Sequence, residues 1–423
     1  MSAIEKKLLS NPGVMGVAMG AMGVLGVLGV LGVLGVLGVL GVFARPAIAA
    51  EENAPPAFLS SQPNDTAGSV AGRELVGNEM NPSISLILDT VGSYFTESNR
   101  IHLGGHAPTS SGVAVTGAEL AASANVDPYF RLDLAFCFAH LHLEEIYFTT
   151  LSLPSSLQLR GGRFLSRLGR HNPTHPHSWH FVLHPLSNQF LFGAEGLGAP
   201  GLELSWLAPL PWYLEISGAL QVGEGGAFRT KPADDAGDPG LTDFLFPLRI
   251  VQFFDISDDW AFQVGANALV GPSAIGPEVG NRSYAFGGDF FLKWRPIGLG
   301  RTGYKYVALL LESWLREMEA PNDLWRDAGG YLDVILGIDK RWETAIRAEL
   351  WRRFAGAPPG EQNSRARFGL NAERASVAVT FMPSHFSRAR LQYSLERVEG
   401  LASNHIVLLQ LEVSAGAHGA HAY

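Results

Sequence analysis

One cysteine in 423 residues leaves no partner for an intrachain disulfide. Cys137 sits in the apolar stretch Leu134–Ala139, without the small-residue context of a lipidation site near a leader, and reads as a buried or lipid-facing residue. Lysine is scarce as well: of 31 basic residues only 6 are Lys. Arginine suits fixed, bidentate pairing with carboxylates along a lined interior. A GC-rich genome gives the same bias, so composition alone leaves both explanations open. Past Phe43 no stretch is long and apolar enough for a membrane helix. There is no G-x-S-x-G, no H-E-x-x-H and no phosphate-cradling glycine loop. No catalytic residue is nominated, and no enzyme is expected. The formal charge is −9. Lys6, Lys7, Arg45 and Glu5 in the first fifty residues contribute +2 of it, so the remainder carries about −11, which argues against a nucleic-acid partner.

What is present begins with a leader. Lys6 and Lys7 precede an apolar run from Val14 to Phe43, followed by small residues at Ala47, Ala49 and Ala50. This is the n-region, h-region and A-x-A-like order of a secretory signal peptide spanning 1–50. The h-region is abnormally long because Gly-Val-Leu repeats six times from Gly23 to Leu40, as replication slippage would produce. An uncleaved inner-membrane helix is the alternative, but glycine at every third position makes a poor helix. Residues 51–80, rich in Pro, Ser, Asn and Ala, read as a disordered periplasmic lead-in.

From residue 81 to 423 the chain alternates. Trp342, Ile346, Ala348 and Leu350 interleave with Glu343, Arg347 and Glu349; Ala389, Leu391, Tyr393 and Leu395 interleave with Arg388, Arg390, Gln392 and Glu396. A period of two gives each set its own face of a sheet. One face fits hydrocarbon; the other carries charges and suits water. Repeated along the chain, this predicts an all-β fold, a transmembrane antiparallel β-barrel with a wet interior. Sixteen strands are placed, starting near residues 83, 114, 129, 144, 157, 201, 212, 246, 260, 282, 304, 329, 342, 366, 386 and 404, with fourteen and eighteen as alternatives. Links alternate short and long, the long ones at 96–113, 165–200, 223–245, 271–281, 316–328, 354–365 and 397–403. Bacterial barrels have short periplasmic turns and longer outer loops. A soluble β-sandwich also alternates, with shorter strands and fewer outward aromatics. The last strand keeps its parity on to Tyr423, a terminal aromatic, through weak outward residues.

The densest chemistry lies in 157–184. Arg160, Arg163, Arg167 and Arg170 precede His171, His175, His177, His180 and His184. A loop there that folds inward narrows a pore and raises the local anion concentration. The expected pore lining is Arg160, Arg163, Arg167, Arg170, Glu145, Arg347, Glu349, Arg388 and Arg390. The histidines offer a second chemistry: His171, His175, His177 and His180 are candidate ligands for Zn²⁺ or another borderline metal. Pro173 and Pro176 make the tract a loop, and a packed loop using His for hydrogen bonds is the simpler alternative.

Five strings carry a family resemblance: Asn-Pro-Ser-Ile-Ser-Leu-Ile-Leu-Asp (81–89), Ala-Asn-Val-Asp-Pro-Tyr-Phe (124–130), Gly-Arg-Phe and His-Pro-His-Ser-Trp-His-Phe within 162–181, Leu-Ser-Trp-Leu-Ala-Pro (204–209) and Gly-Ala-His-Gly-Ala-His-Ala-Tyr (416–423). Through them, residues 81–423 resemble a group of proteobacterial outer-membrane proteins often labelled zinc-regulated TonB-dependent outer membrane receptors. More distantly the chain is similar to phosphate-selective porins. The resemblance implies a barrel in the outer membrane of a Gram-negative bacterium, surrounded by lipid and inserted by the barrel-assembly machinery. It implies a porin-like channel for small polar or anionic solutes; many porins associate in threes, and a homotrimer is one candidate assembly that the sequence leaves open. The alternative it implies is a receptor or transporter for zinc or a metal-linked ligand. TonB-dependent receptors carry a plug domain and about 22 strands, whereas some thirty residues separate this leader from the first predicted strand.

Overall fold

The computed structural model describes residues 82–97, 101, 105–222, 227–228, 244–274, 280–296, 305–320, 323–356 and 371–416. The predicted leader, the lead-in and Tyr423 lie outside the described residues. Sixteen strands follow one another: β1 (Ser83–Phe95), β2 (Gly112–Asn125), β3 (Phe130–Cys137), β4 (His142–Thr150), β5 (Leu157–Leu165), β6 (Gly198–Leu207), β7 (Tyr213–Val222) and β8 (Phe244–Ser257). Then come β9 (Trp260–Pro272), β10 (Arg282–Trp294), β11 (Tyr306–Ala320), β12 (Asp323–Gly337), β13 (Trp342–Ala355), β14 (Ala372–Ser384), β15 (Ser387–Val398) and β16 (Asn404–Gly416). Each pairs antiparallel with its neighbours in sequence, and β1 pairs with β16 from Ser85↔Gly416 to Phe95↔Ile406. Closure leaves no unpaired sheet edge, which a lipid environment demands because it offers backbone groups no hydrogen bonds.

In the well-patterned strands the predicted parity is the observed one. Outward Leu391, Ile346 and Leu411 are 53–54 % exposed, while inward Arg390 is 1 % and Arg347 3 % exposed. A water-soluble core would invert this distribution. Aromatics gather outside near the short-link end: Trp260 faces Trp294 at 6.2 Å between ring centroids, and Trp342 faces Phe381 at 4.7 Å. Such belts mark a membrane interface. Two short links share one chemistry. Asp127 Oδ1 accepts the N–H groups of Tyr129 (2.7 Å) and Phe130 (2.8 Å), and Asp339 Oδ1 accepts those of Arg341 (2.8 Å) and Trp342 (3.2 Å). These are side-chain turns of the kind Asp favours.

One predicted link is strand. Residues 316–328 read as a loop because they are charged, yet β11 and β12 run through them, from Ala320↔Asp323 onward. The charges pair across the hairpin: Arg316 with Asp327 inside, and Arg326 with Glu317 at 2.6 Å. The fourteenth strand starts at Ala372, later than the expected 366, and residues 357–370 lie outside the described set.

Candidate functional site

Leu165 and Gly198 are cross-strand partners, so the chain between β5 and β6 leaves and re-enters the wall at one point. In between, residues 166–197 run through the barrel interior. Leu168, Leu186, Phe190, Leu191, Phe192 and Leu197 are all 0–1 % exposed. They pack with Leu269, Trp314, Met318 and Trp351 of the wall. All seven residues of the short helix α1 (Leu186–Phe192) are buried. Phe190 meets Trp351 edge-on at 5.6 Å, and Phe192 meets Trp314 at 5.4 Å. Each such ring contributes up to ~3 kcal/mol of burial free energy. The sequence predicts a wet interior and allows this loop to fold inward; a dry core occupies part of the lumen, because several inward positions are apolar rather than charged.

An irregular buried segment must satisfy every backbone N–H and C=O. The wall supplies the partners in two sets. Carbonyls receive arginines: Arg249 donates to Gly169 (2.7 Å), Arg316 to Phe190, Arg347 to Leu183 (3.1 Å), Arg374 to His184, and Arg388 to Pro176 (2.9 Å) and Trp179 (3.3 Å). Arg390 also donates to Trp179. Amides are taken by acids and carboxamides: Glu312 accepts Arg170 N–H (2.8 Å), Gln392 accepts Val182 (2.6 Å), Glu349 accepts Leu186 (2.8 Å) and Asn267 accepts Gly169 (2.9 Å). The arginines are themselves oriented by carboxylates, as in Arg347–Asp333 (2.7 Å) and Arg249–Asp289 (2.9 Å). Arginine can do this because its planar fork binds one acid and still has N–H groups to spare. Gly169, at φ +63°, enters between these groups; a Cβ there would lie 2.5 Å from Glu312 Oε1.

The predicted lining residues take distinct places. Arg160 is buried inside, on Glu203 (3.0 Å) and over the Phe164 ring (4.1 Å). Arg167 bridges Glu203 (3.1 Å) and Glu215 (2.6 Å), and Arg170 reaches Gln263 (2.8 Å) above Phe291. Glu145, Arg347, Glu349, Arg388 and Arg390 point inward and hold the segment. Arg163 does not. It pairs across the sheet with Ile146, which is 40 % exposed on the outer face, and donates Nε–H to the Leu143 carbonyl at 2.9 Å. Gly161 and Gly162 blur the alternation there, so parity could not be read from the sequence.

The proposed histidine ligand set is also divided. His171 Nε2 meets His184 Nδ1 at 3.2 Å beside Trp179, and His180 Nδ1 meets Glu343 at 2.8 Å on the opposite wall. The tract crosses the lumen, so neither reaches the other two. His175 and His177 stay together, stacked at 5.7 Å, and face acids of β2 and β4: Glu119, Glu144 and Glu145. The acids were missed except for Glu145. Between β3 and β4 the register shifts, Ala135 opposing Glu145 and Phe136 opposing Leu143, so Glu144 is an extra residue. A β-bulge re-aims side chains, and here it turns two successive glutamates inward. The adjacent Glu-Glu in an otherwise apolar strand was the available signal.

Burial, followed by the charge of His106, pushes His184 down to about 3. Burial and then His184 itself hold His171 well below the ordinary imidazole range. Both rings fold in neutral. The unfolded segment therefore binds more protons, so the His184 contribution is complete above pH 6.5 and is lost as pH falls toward 3, and that of His171 changes in the same direction. His184 costs about 1.4 kcal/mol per pH unit in that window. Backbone hydrogen exchange in 171–184, corrected for intrinsic rates, is expected to lose protection as the solution is acidified. A His184→Gln variant should flatten the dependence; an identical acid profile in that variant counts against the assignment.

No protein-family model matches the chain. An uncharacterized protein of Aquifex aeolicus is 30% identical over 388 residues, covering 81% of this chain and 80% of that protein. Among solved structures, the anion-selective porin of Comamonas acidovorans superposes with a TM-score of 0.54 at 9% identity, covering 79% of this chain and 99% of that one. The outer-membrane channel DcaP of Acinetobacter baumannii gives 0.53 at 10% identity, covering 79% and 97%. Sixteen strands match this size class rather than the roughly 22 of TonB-dependent transporters. The TonB-dependent part of the resembling label therefore finds no support, and none of these relatives supports the zinc-regulated part. The chain belongs to the same family as the Aquifex aeolicus protein, and its fold is that of sixteen-stranded outer-membrane barrels.

Proposed function

We propose that this protein is a porin-like channel of the Gram-negative outer membrane, passing small polar or anionic solutes passively, with residues 166–197 as its constriction. The observation that carries the reading is the segment between β5 and β6, folded inside a closed barrel that is apolar outside. The Comamonas porin and the DcaP channel, which share the fold, support a channel over an enzyme or a receptor. Arg167, Arg170, His175, His177 and His180 are the cationic or protonatable groups of the segment that solvent still reaches. Cations facing a narrow low-dielectric path concentrate anions. Outer-membrane lipid is the surrounding, the barrel-assembly machinery the folding partner, and a homotrimer the candidate assembly.

Planar bilayers test it. The purified barrel should give unitary conductance steps, with a reversal potential favouring chloride over potassium. Arg167→Glu with Arg170→Glu should shift that potential toward potassium. A correctly folded barrel that remains electrically silent would sink the proposal.

A further inference from the structure

At the wall formed by β2, β3 and β4, two carboxylates and two imidazoles converge. One ligand atom each from Glu119, Glu144 and His175 lies within 4.8 Å of the others. Glu144 Oε2 is 3.1 Å from His175 Nδ1; Glu119 Oε2 is 3.8 Å from both His175 Nδ1 and His177 Nδ1. Ligands at ~2.0–2.1 Å around a tetrahedral ion stand ~3.4 Å apart, so these spacings bracket what one ion needs.

Two further observations point to a ligand. Glu144 is only 8 % exposed, yet neither of its oxygens receives a hydrogen bond. Each faces an imidazole nitrogen, His175 at 3.1 Å and His106 at 3.3 Å, without hydrogen-bond alignment. A buried carboxylate without an aligned hydrogen bond depends on nearby positive charge, which these imidazoles supply when protonated and a bound cation supplies when they are neutral. The second observation is on the far side of the His175 ring. Its Nε2 lies 2.8 Å from Glu145 Oε2, and the Leu165 N–H fixes the other Glu145 oxygen at 2.7 Å. In the tautomer that donates Nε2–H to Glu145, Nδ1 is the free ligand atom, 3.1 Å from Glu144 and 3.8 Å from Glu119. This is the outer-shell arrangement that orients metal-binding histidines.

We propose that Glu119, Glu144 and His175, with His177 as fourth ligand, bind one divalent cation of borderline character, best fitted by Zn²⁺, and that this ion fastens the inward segment to the β2–β4 wall. The donor set combines two carboxylate oxygens and two imidazole nitrogens, which suits zinc and neighbouring transition ions better than calcium or magnesium. The ion is a clasp, separate from whatever solute the barrel passes. His175 and His177 come from the segment and the two acids from the wall, so the ion crosslinks two parts of the chain joined otherwise by hydrogen bonds and packing.

The test uses the full, folded barrel in detergent, stripped with a chelator and titrated with Zn²⁺. One equivalent should bind, and Co²⁺ in its place should give the visible absorption of a four-coordinate site. Glu144→Gln and His175→Asn should abolish the tight site. Glu145→Gln should weaken it roughly 10- to 100-fold, the usual cost of losing an orienting partner. His180→Asn, on the opposite wall, should leave binding unchanged. Heat-modifiable gel migration verifies that each variant is folded. The proposal falls if the folded wild type takes up no Zn²⁺, or if a folded Glu144→Gln variant binds it as the wild type does.

Discussion

Replacing residues 167–196 with a short turn should raise the unitary conductance several-fold while leaving a folded barrel. The two ends are already adjacent, since Leu165 and Gly198 pair directly across the sheet. A hairpin of two to five residues closes such a gap. The ladder between β1 and β16 is independent of the segment, so closure survives. Inside, the wall arginines lose their carbonyl partners but keep their carboxylates: Arg347 keeps Asp333, Arg249 keeps Asp289 and Arg388 keeps Glu412. Water then hydrates pairs that the segment had covered, and a sixteen-stranded cylinder is wide enough for an aqueous lumen. Bilayer recordings give the answer. A shortened, folded barrel with the conductance of the wild type would mean that the segment does not limit permeation.

Arg374→Met is expected to be the most damaging single replacement of those considered. The guanidinium and Glu349 are both fully buried, with Nε 2.5 Å and Nη2 3.0 Å from the carboxylate. Arg374 also approaches Glu396 at 3.5 Å and donates to the His184 carbonyl. Removing one member of a buried pair leaves the other charge uncompensated and costs ~3–5 kcal/mol. Pairing Arg374→Met with Glu349→Gln should recover part of this, since the stranded charge goes. Recovery stays incomplete because the Leu186 N–H and the His184 carbonyl lose bonds that Glu349 and Arg374 now make. Urea midpoints in detergent or lipid provide the comparison. A loss under ~1 kcal/mol for Arg374→Met, the range of an exposed pair, would contradict the burial described.

Much of the wall was legible in advance because its rule is local. Trp260, Phe262 and Val264 outside, with Gln263 and Asn267 inside, follow from a period of two and need no knowledge of neighbours. Legibility failed where a local cue had a nonlocal resolution. The charges of 316–328 looked like loop residues until Arg316 met Asp327 across a hairpin. Arg163 looked inward until the pairing with Ile146 placed it outside. The arginine excess, open to two explanations in the sequence, has at least one structural use, since most of the inward arginines hold segment carbonyls.

Alternation by itself determined that this chain closes a lipid-facing wall, because every second residue must meet hydrocarbon whatever fills the middle. What fills it was decided only in three dimensions. The path of 166–197 depends on which wall carbonyl-binders and amide-acceptors lie opposite each other, and those residues are scattered from β8 to β15. His171, His175, His177 and His180 are close in sequence, yet the crossing segment delivers them to different walls: His175 meets the glutamates that the bulge in β4 turns inward, and His177 lies beside Glu119 of β2.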